Sequence, residues 1–449
     1  MRRRLATGVA TTVLTLAASL LATTPAQAVN RVTPGSFTGY GFDQCITPTQ
    51  SEMDTWLTTS PYWAVGIYIA GDSRFCGDDK QVNLTPTWVA TQLRNGWRLL
   101  PITLGPQASC SERPAYQDDV RIDPAPTDGY AAARTQGRVE ARTTVRVARR
   151  LGIAARSTLW YDIENFDIRR THCRESALAF LSAWTNQLHA LDYVSGVYSS
   201  ASSGIKMLDD ARRQTPGKYA MPDRLWIAEW MKEPVAAPPL DPAPSLLSSY
   251  FADDGWMPRQ RMRQYRGGHN ETYGGVTINI DSNYLDLGRG SVAPREPAHC
   301  GGVSLSFERY QRLKRGDRDP QVRSLQCALR EKRFYTGDLR KLYTRRTERA
   351  VRAFQAAHAL PVDGVATART WTTLLAKGAA PVVKIGSAKP AVRRAQRALN
   401  AATGARLHVT GVFDVTTTRA VRAYQERRGL PRTGVLAADS WAQLQAGRR

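Results

Sequence analysis

The feature that most constrains this chain is a repeat. Sliding the sequence over itself by 70 residues, without a gap, sets Lys314, Gly316, Pro320, Val322, Gln326 and Leu329 on Lys384, Gly386, Pro390, Val392, Gln396 and Leu399. In the same register Ala350-Val351-Arg352-Ala353-Phe354-Gln355 meets Ala420-Val421-Arg422-Ala423-Tyr424-Gln425, and Leu360-Pro361, Gly364 and Trp371 meet Leu430-Pro431, Gly434 and Trp441. Self-similarity at a fixed period means one structural unit used twice. Val322, Leu325, Gln326 and Leu329 fall at helical spacing, as do Ala350, Val351 and Phe354, and a third short helix after the Pro and Gly turn carries the Trp. The pattern predicts two small all-α units of about three helices each, at 310–377 and 380–446, behind a linker at 291–309.

The preceding segment follows a different rule. Apolar, β-prone runs at 37–43, 64–71, 97–105, 157–164, 195–200, 224–230, 261–266 and 275–281 alternate with helical patterns. Ala133, Gly137, Ala141, Val145, Ala148 and Leu151 make one helical face, ended by Gly152; Ala177, Leu181, Trp184, Leu188 and Leu191 make another. The Pro-rich stretch 231–258 reads as a loop. Strands alternating with helices over about 250 residues predict an α/β fold, a (β/α)8 TIM-like barrel spanning 37–290.

In such a barrel the chemistry lies where strands end. Those ends carry Asp43, then Asp162 and Glu164, then Glu229 and Trp230, then Gln264 and Tyr265, and finally Asp281. Within Trp160-Tyr161-Asp162-Ile163-Glu164-Asn165 the two carboxylates stand at i, i+2. On a strand that spacing puts them on one face, with Cα atoms roughly 6–7 Å apart. Paired carboxylates are the tools of glycosidic bond cleavage, and Tyr161, Trp230 and Tyr265 supply flat faces on which a sugar ring packs. The same aromatics equally suit the lid of a barrel core.

Residues 1–28 read as a signal peptide. Arg2, Arg3 and Arg4 precede an apolar core from Leu5 to about Leu21, and Ala26-Gln27-Ala28 offers a cleavage site. The mature chain is therefore expected to be secreted and extracellular, associated with the cell wall, and not membrane-embedded. Export makes disulfides the expected state of the six cysteines, and sequence alone cannot choose among the fifteen connectivities they allow. If the barrel is correct, Cys45 and Cys76 follow neighbouring strands, as do Cys110 and Cys173. Those become the preferred pairs, leaving Cys300 with Cys327. With no C-x-x-C, no H-E-x-x-H and six scattered histidines, no metal site and no cofactor is expected. Charge separates the two parts. Residues 300–449 hold 30 Lys plus Arg against 10 Asp plus Glu, and the first 299 hold 32 against 29. Such a basic tail suits anionic cell-wall polymers. Nucleic acid is disfavoured, since no base-reading motif accompanies the export signal.

Three resemblances sharpen this reading. Both repeats resemble the type 1 peptidoglycan-binding domain, marked by V-x-x-L-Q-x-x-L, A-V-x-x-F-Q and a terminal T-W. The first copy keeps Thr370-Trp371, while the second has Ser440-Trp441; Lys341 of the first stands where the second has Gly411. Tyr40-Gly41-Phe42-Asp43, Trp160-Tyr161-Asp162-Ile163-Glu164, Trp226-Ile227-Ala228, Gln264-Tyr265 and Asp281-Ser282-Asn283 follow the motif order of glycoside hydrolase family 25 lysozymes. Over residues 37–287 the chain also resembles the glycoside hydrolase-like domain of exported bacterial proteins, through Gly41-Phe42-Asp43-Gln44-Cys45, Tyr68-Ile69-Ala70-Gly71 with Asn83-Leu84-Thr85, and Gly196-Val197-Tyr198-Ser199-Ser200. The lysozyme likeness implies Glu164 as general acid, Asp162 as its partner, Asp43 and Asp281 as flanking carboxylates, and Gln264 and Tyr265 as wall-facing contacts. Glu229 departs from that family's usual residue. The expected function is a wall-bound muramidase-type glycoside hydrolase; the alternatives are a non-catalytic glycan-binding accessory protein and a wall amidase or peptidase.

Overall fold

The structure, a computed structural model, describes residues 30–231 and 243–449; the expected signal peptide lies outside them. Eight strands close a barrel in chain order. They are β1 (Phe37–Asp43), β2 (Ala64–Ala70), β3 (Arg98–Thr103), β4 (Thr158–Asp162), β5 (Val194–Ser200), β6 (Arg224–Ala228), β7 (Gln260–Tyr273) and β8 (Val276–Leu287). Each crossover from β1 to β6 carries a helix: α1 (Gln50–Thr59), α2 (Pro86–Asn95), α3 (Ala131–Arg150), α4 (Thr171–Ala190) and α5 (Lys206–Gln214). The period-two alternation of each strand splits the core into two layers. Phe37, Leu100, Trp160, Trp226, Met262 and Leu285 fill the barrel interior, while Tyr40, Phe42, Val65, Leu99, Tyr161 and Val197 face the helices. The small-residue face of α3 buries Ala133, Gly137, Ala141, Val145 and Ala148, as its spacing predicts. At Gly137 a Cβ would stand 2.3 Å from the Phe180 carbonyl oxygen, which is why α3 and α4 pack so closely there.

The barrel departs from the expected (β/α)8 pattern at its last strand. β8 is antiparallel to both β7 and β1. Gly274 and Gly275, at φ +59° and +81°, close a two-residue turn, the conformation a tight hairpin requires and glycine best supplies. With no room for a crossover helix, the β7–β8 arm extends past the rim and bends back, and Tyr273 packs on Trp56 and Tyr62. Both strands are longer than the sequence suggests, and β4 ends at Asp162, leaving Glu164 on the segment beyond it.

The tail holds α6 (Pro320–Glu331), α7 (Arg345–Ala357) and α8 (Ala368–Ala376), then α9 (Pro390–Thr403), α10 (Val415–Arg427) and α11 (Ala438–Gln445). The repeated glutamines are buried ties. Gln326 donates to the Leu342 carbonyl and accepts from the Arg340 amide; Gln396 does the same with Val412 and Gly411. Gln355 and Gln425 tie Gly364 and Gly434 in the same way. An unpaired buried amide is costly, so the motif preserves both partners. The segment 291–309 is packed, with Val303 and Leu305 buried in the core shared by both repeats.

The second repeat docks on the barrel's base. Lys384, 1% exposed, donates to the Leu57 carbonyl at 2.8 Å where α1 ends and lies over the rings of Trp63 (4.6 Å) and Trp97 (5.0 Å). Gly386 abuts Phe37 and Thr38 at the start of β1.

Candidate active site

The opposite end of the barrel gathers the carboxylates. A cavity of about 290 Å³ is lined by Asp43, Tyr68, Phe75, Tyr116, Glu164 and Asp281, among others. Asp162, interior to β4, lies beneath it within hydrogen-bonding reach of Tyr68 (3.5 Å). The antiparallel β8 still delivers Asp281 to this end, because its register sets Asp281 opposite Asp43.

Gln264 is the hub of the site. Its Oε1 accepts from Tyr198 Oη at 3.1 Å and Trp230 Nε1 at 3.0 Å, and its Nε2 donates to Asp281 at 3.1 Å and Asp43 at 3.5 Å. A buried amide with every neighbour engaged orients other groups, so Gln264 is not the wall-facing contact expected of it. Asn283 donates to Asp43 Oδ1 at 2.6 Å and accepts from Trp226 Nε1 at 2.7 Å. Asp281 also accepts from the Gly268 amide at 2.5 Å. Asp162 Oδ1 has no hydrogen-bond partner among the described residues.

Burial sets the protonation of these groups. It pushes Asp43 and Asp162 well above the usual carboxylate range, and the neighbouring charges of Asp281 on Asp43 and of Glu164 on Asp162 push the same way. Asp281 is raised by burial too. Glu164 is also raised by burial, but Arg113 opposes the shift from 2.6 Å away. Tyr68 and Tyr198 are driven upward by burial and by the acids around them, so their hydroxyls remain neutral donors.

Arg113 comes from the long β3–β4 crossover, which folds over the site. Gln107 donates to the Asp162 carbonyl at 2.9 Å and accepts from the Glu164 amide at 2.8 Å. Arg121 binds the Ser109, Ser111 and Tyr116 carbonyls, and the Cys110–Cys173 disulfide fastens the loop to α4. The Cys45–Cys76 disulfide joins the loops after β1 and β2, next to Phe75, which is 83% exposed at the rim. Cys300–Cys327 ties the connecting segment to α6.

The remaining expected site residues divide. Trp230, 63% exposed, lies against Gly267, where a Cβ would stand 2.1 Å from its ring. Glu229 faces Arg263 at 3.9 Å and does not line the cavity. Tyr161 is fully buried toward α4, on Phe180 and Trp184, with its hydroxyl on the Pro106 carbonyl. Tyr265 is equally buried, its ring edge-on to Tyr40. These two aromatics belong to the outer core, because each neighbours an inward-facing residue on its strand. Tyr68, Tyr198 and Asn283 carry an alternation signal that would have marked them. Arg113 and Tyr116, on an irregular loop, carry none.

A family model described as "Rv2525c-like, glycoside hydrolase-like domain" matches residues 54–285, more than half of the chain. The putative peptidoglycan binding domain matches twice, at 318–374 and 388–444. Among solved structures, an uncharacterized B. stearothermophilus protein aligns at 18% identity and TM-score 0.35, over 55% of this chain and 95% of its own. A family 25 glycosyl hydrolase from Bacillus anthracis aligns at 13% identity and TM-score 0.32, over 58% of this chain and 93% of its own. No curated protein matches. Among the described residues no helix is long and apolar enough to cross a membrane. The chain belongs to the Rv2525c-like, glycoside hydrolase-like family, with two peptidoglycan-binding domains behind its barrel.

Proposed function

We propose that the protein is exported to the cell wall and cleaves the glycan of peptidoglycan. The observation that carries this reading is the convergence of Asp43, Asp162, Glu164 and Asp281 at one end of the barrel, with burial favouring the protonated form of each. The peptidoglycan-binding domains support the wall as the place of action.

In the free protein burial favours the protonated form of the deep carboxyls, and Arg113 works against that shift at Glu164. A sugar entering the cavity expels water and parts Glu164 from Arg113, and both changes raise its affinity for a proton. The proton on Asp162 passes to Glu164, which delivers it to the glycosidic oxygen as the bond to the anomeric carbon breaks. Asp162, then ionised, stabilises the oxocarbenium-like centre directly or by orienting the substrate's acetamido group, and water adds at that carbon and returns a proton to the carboxyl pair. Asp43 and Asp281, held by Gln264 and Asn283, fix the floor of the site.

One observation favours a second reading, a non-catalytic glycan-binding protein: the Arg113 ion pair opposes protonation of the proposed acid. Reducing-end release from purified peptidoglycan separates the two. Release by wild type that disappears in Glu164→Gln supports the glycosidase. Wall sedimentation without release, unchanged by Glu164→Gln, supports the binding protein.

A further inference from the structure

Where the second repeat meets the base of the barrel there is a cavity of about 470 Å³, remote from the carboxylates. Arg31, Arg98, Arg289 and Lys389 line it, and among the described residues no carboxylate does. Asp286, on β8, accepts from Thr38 Oγ1 at 2.6 Å and is not part of the wall. Arg98 is held in place by the Phe37 ring, 4.7 Å away, and by the Pro34 carbonyl. Lys389, at the entrance to α9, is held by the Val382 carbonyl at 3.2 Å and the Trp63 ring at 5.8 Å. A guanidinium has five N–H donors and an ammonium three. Each of these groups gives one hydrogen bond to the described residues, so most of that donor capacity is unused by the protein.

These cations also strain one another. Burial, and then Arg31, push Arg98 down to about 10. Lys389 is lowered by burial and then by Arg31 and Arg98. Buried charge persists when it is paired, and among the described residues no carboxylate lines the cavity to pair these. Forked guanidinium donors beside an ammonium are the chemistry that holds phosphate oxygens. We propose that this cavity is a phosphate site shared by the barrel and the second repeat, taking a phosphate group either from an anionic wall polymer or as the free ion. Arg31 and Arg98 contact the ligand from the barrel side and Lys389 from the repeat, so binding tightens the docking of the two.

The test uses the full chain and two probes, sodium orthophosphate and poly(glycerol phosphate), against sodium chloride at equal ionic strength. Calorimetric titration gives affinity, and thermal unfolding gives the midpoint. The expected result is saturable binding by at least one probe, a raised midpoint, and affinity at least tenfold weaker in R31M/K389M. Binding of the polymer alone assigns the source to the wall, and binding of orthophosphate alone assigns it to the free ion. The single variant Lys389→Gln provides the same comparison if the double variant does not fold. Absence of binding by both probes, or variant affinities equal to wild type, overturns the proposal.

Discussion

Replacing Asp43 with Asn should stabilise the barrel at neutral pH while removing a group the proposed chemistry uses. Asp43 is 3% exposed and faces Asp281 across the β1–β8 register; burial first, and then that neighbouring charge, raise its pKa well above the ordinary value. Below about pH 4 the carboxyl is protonated in folded and unfolded chains alike, and its contribution is fully present. As pH rises the unfolded chain releases the proton and the folded chain keeps it, so stability falls by about 1.4 kcal/mol per pH unit until the folded pKa is passed. Asn retains the acceptor for Asn283 and carries no titration. For a barrel of this size about 1.4 kcal/mol corresponds to roughly 3–6 °C in the unfolding midpoint. Thermal unfolding followed upward from about pH 4.5 should therefore show wild type losing stability faster than Asp43→Asn over the window in which the folded carboxyl keeps its proton. Asp162, raised in part by Asp43, loses that part of its shift in the variant, which flattens the variant's slope further. Equal slopes, or a wild type that gains on the variant as pH rises, would refute the argument that Asp43 is a buried carboxyl retained at a cost to folding.

Arg113→Gln removes the cation that opposes the raised pKa of Glu164. Because Arg113 is about half exposed, the coupling is worth about 1 kcal/mol, and the alkaline limb of the pH–activity profile should move up by a little under one pH unit. An unmoved or downward-shifted limb would contradict the assignment. Trp230→Ala should raise KM for glycan about fivefold, the loss of roughly 1 kcal/mol of ring packing, with kcat nearly unchanged; a fall in kcat alone would place Trp230 outside the binding surface.

The fold was legible because its two periodicities are strong. Strand alternation and helical faces locate the barrel, and the repeat locates the helical tail. The antiparallel β8 was hidden behind a prior for parallel barrels, although Gly274-Gly275 between β-prone runs is a hairpin signal. The site was legible as far as side-chain parity reaches. The alternation that turns Asp162 inward necessarily turns Tyr161 outward, and Gln264 inward sends Tyr265 to the helix layer. Applying that rule to the aromatics would have removed both from the ligand surface and supplied Tyr68 and Tyr198. Arg113 arrives on a loop whose path depends on a disulfide and on backbone hydrogen bonds, and no local pattern encodes that.

The two repeats have diverged in use at one shared position. Lys384 and Gly386 are buried against the barrel, whereas Lys314 and Gly316, their partners in the repeat register, are exposed, and a Cβ at Gly316 would meet nothing within 4 Å. The same face therefore serves docking in one copy and is open to solvent in the other. Lys384→Glu would replace an amino group that donates to the carbonyls at the end of α1 and lies over two indole rings with an anion facing those carbonyls. An uncompensated buried charge of this kind costs about 3–5 kcal/mol, enough to detach the second repeat, which small-angle scattering would record as a larger radius of gyration. Lys314→Glu should leave the unfolding midpoint and the scattering curve unchanged, because exposed substitutions away from such contacts shift stability by about 0.5 kcal/mol or less. If the open face of the first repeat contacts the wall, the same variant sediments less with peptidoglycan. A compact Lys384→Glu protein would show that the base of the barrel does not hold the repeat through this lysine.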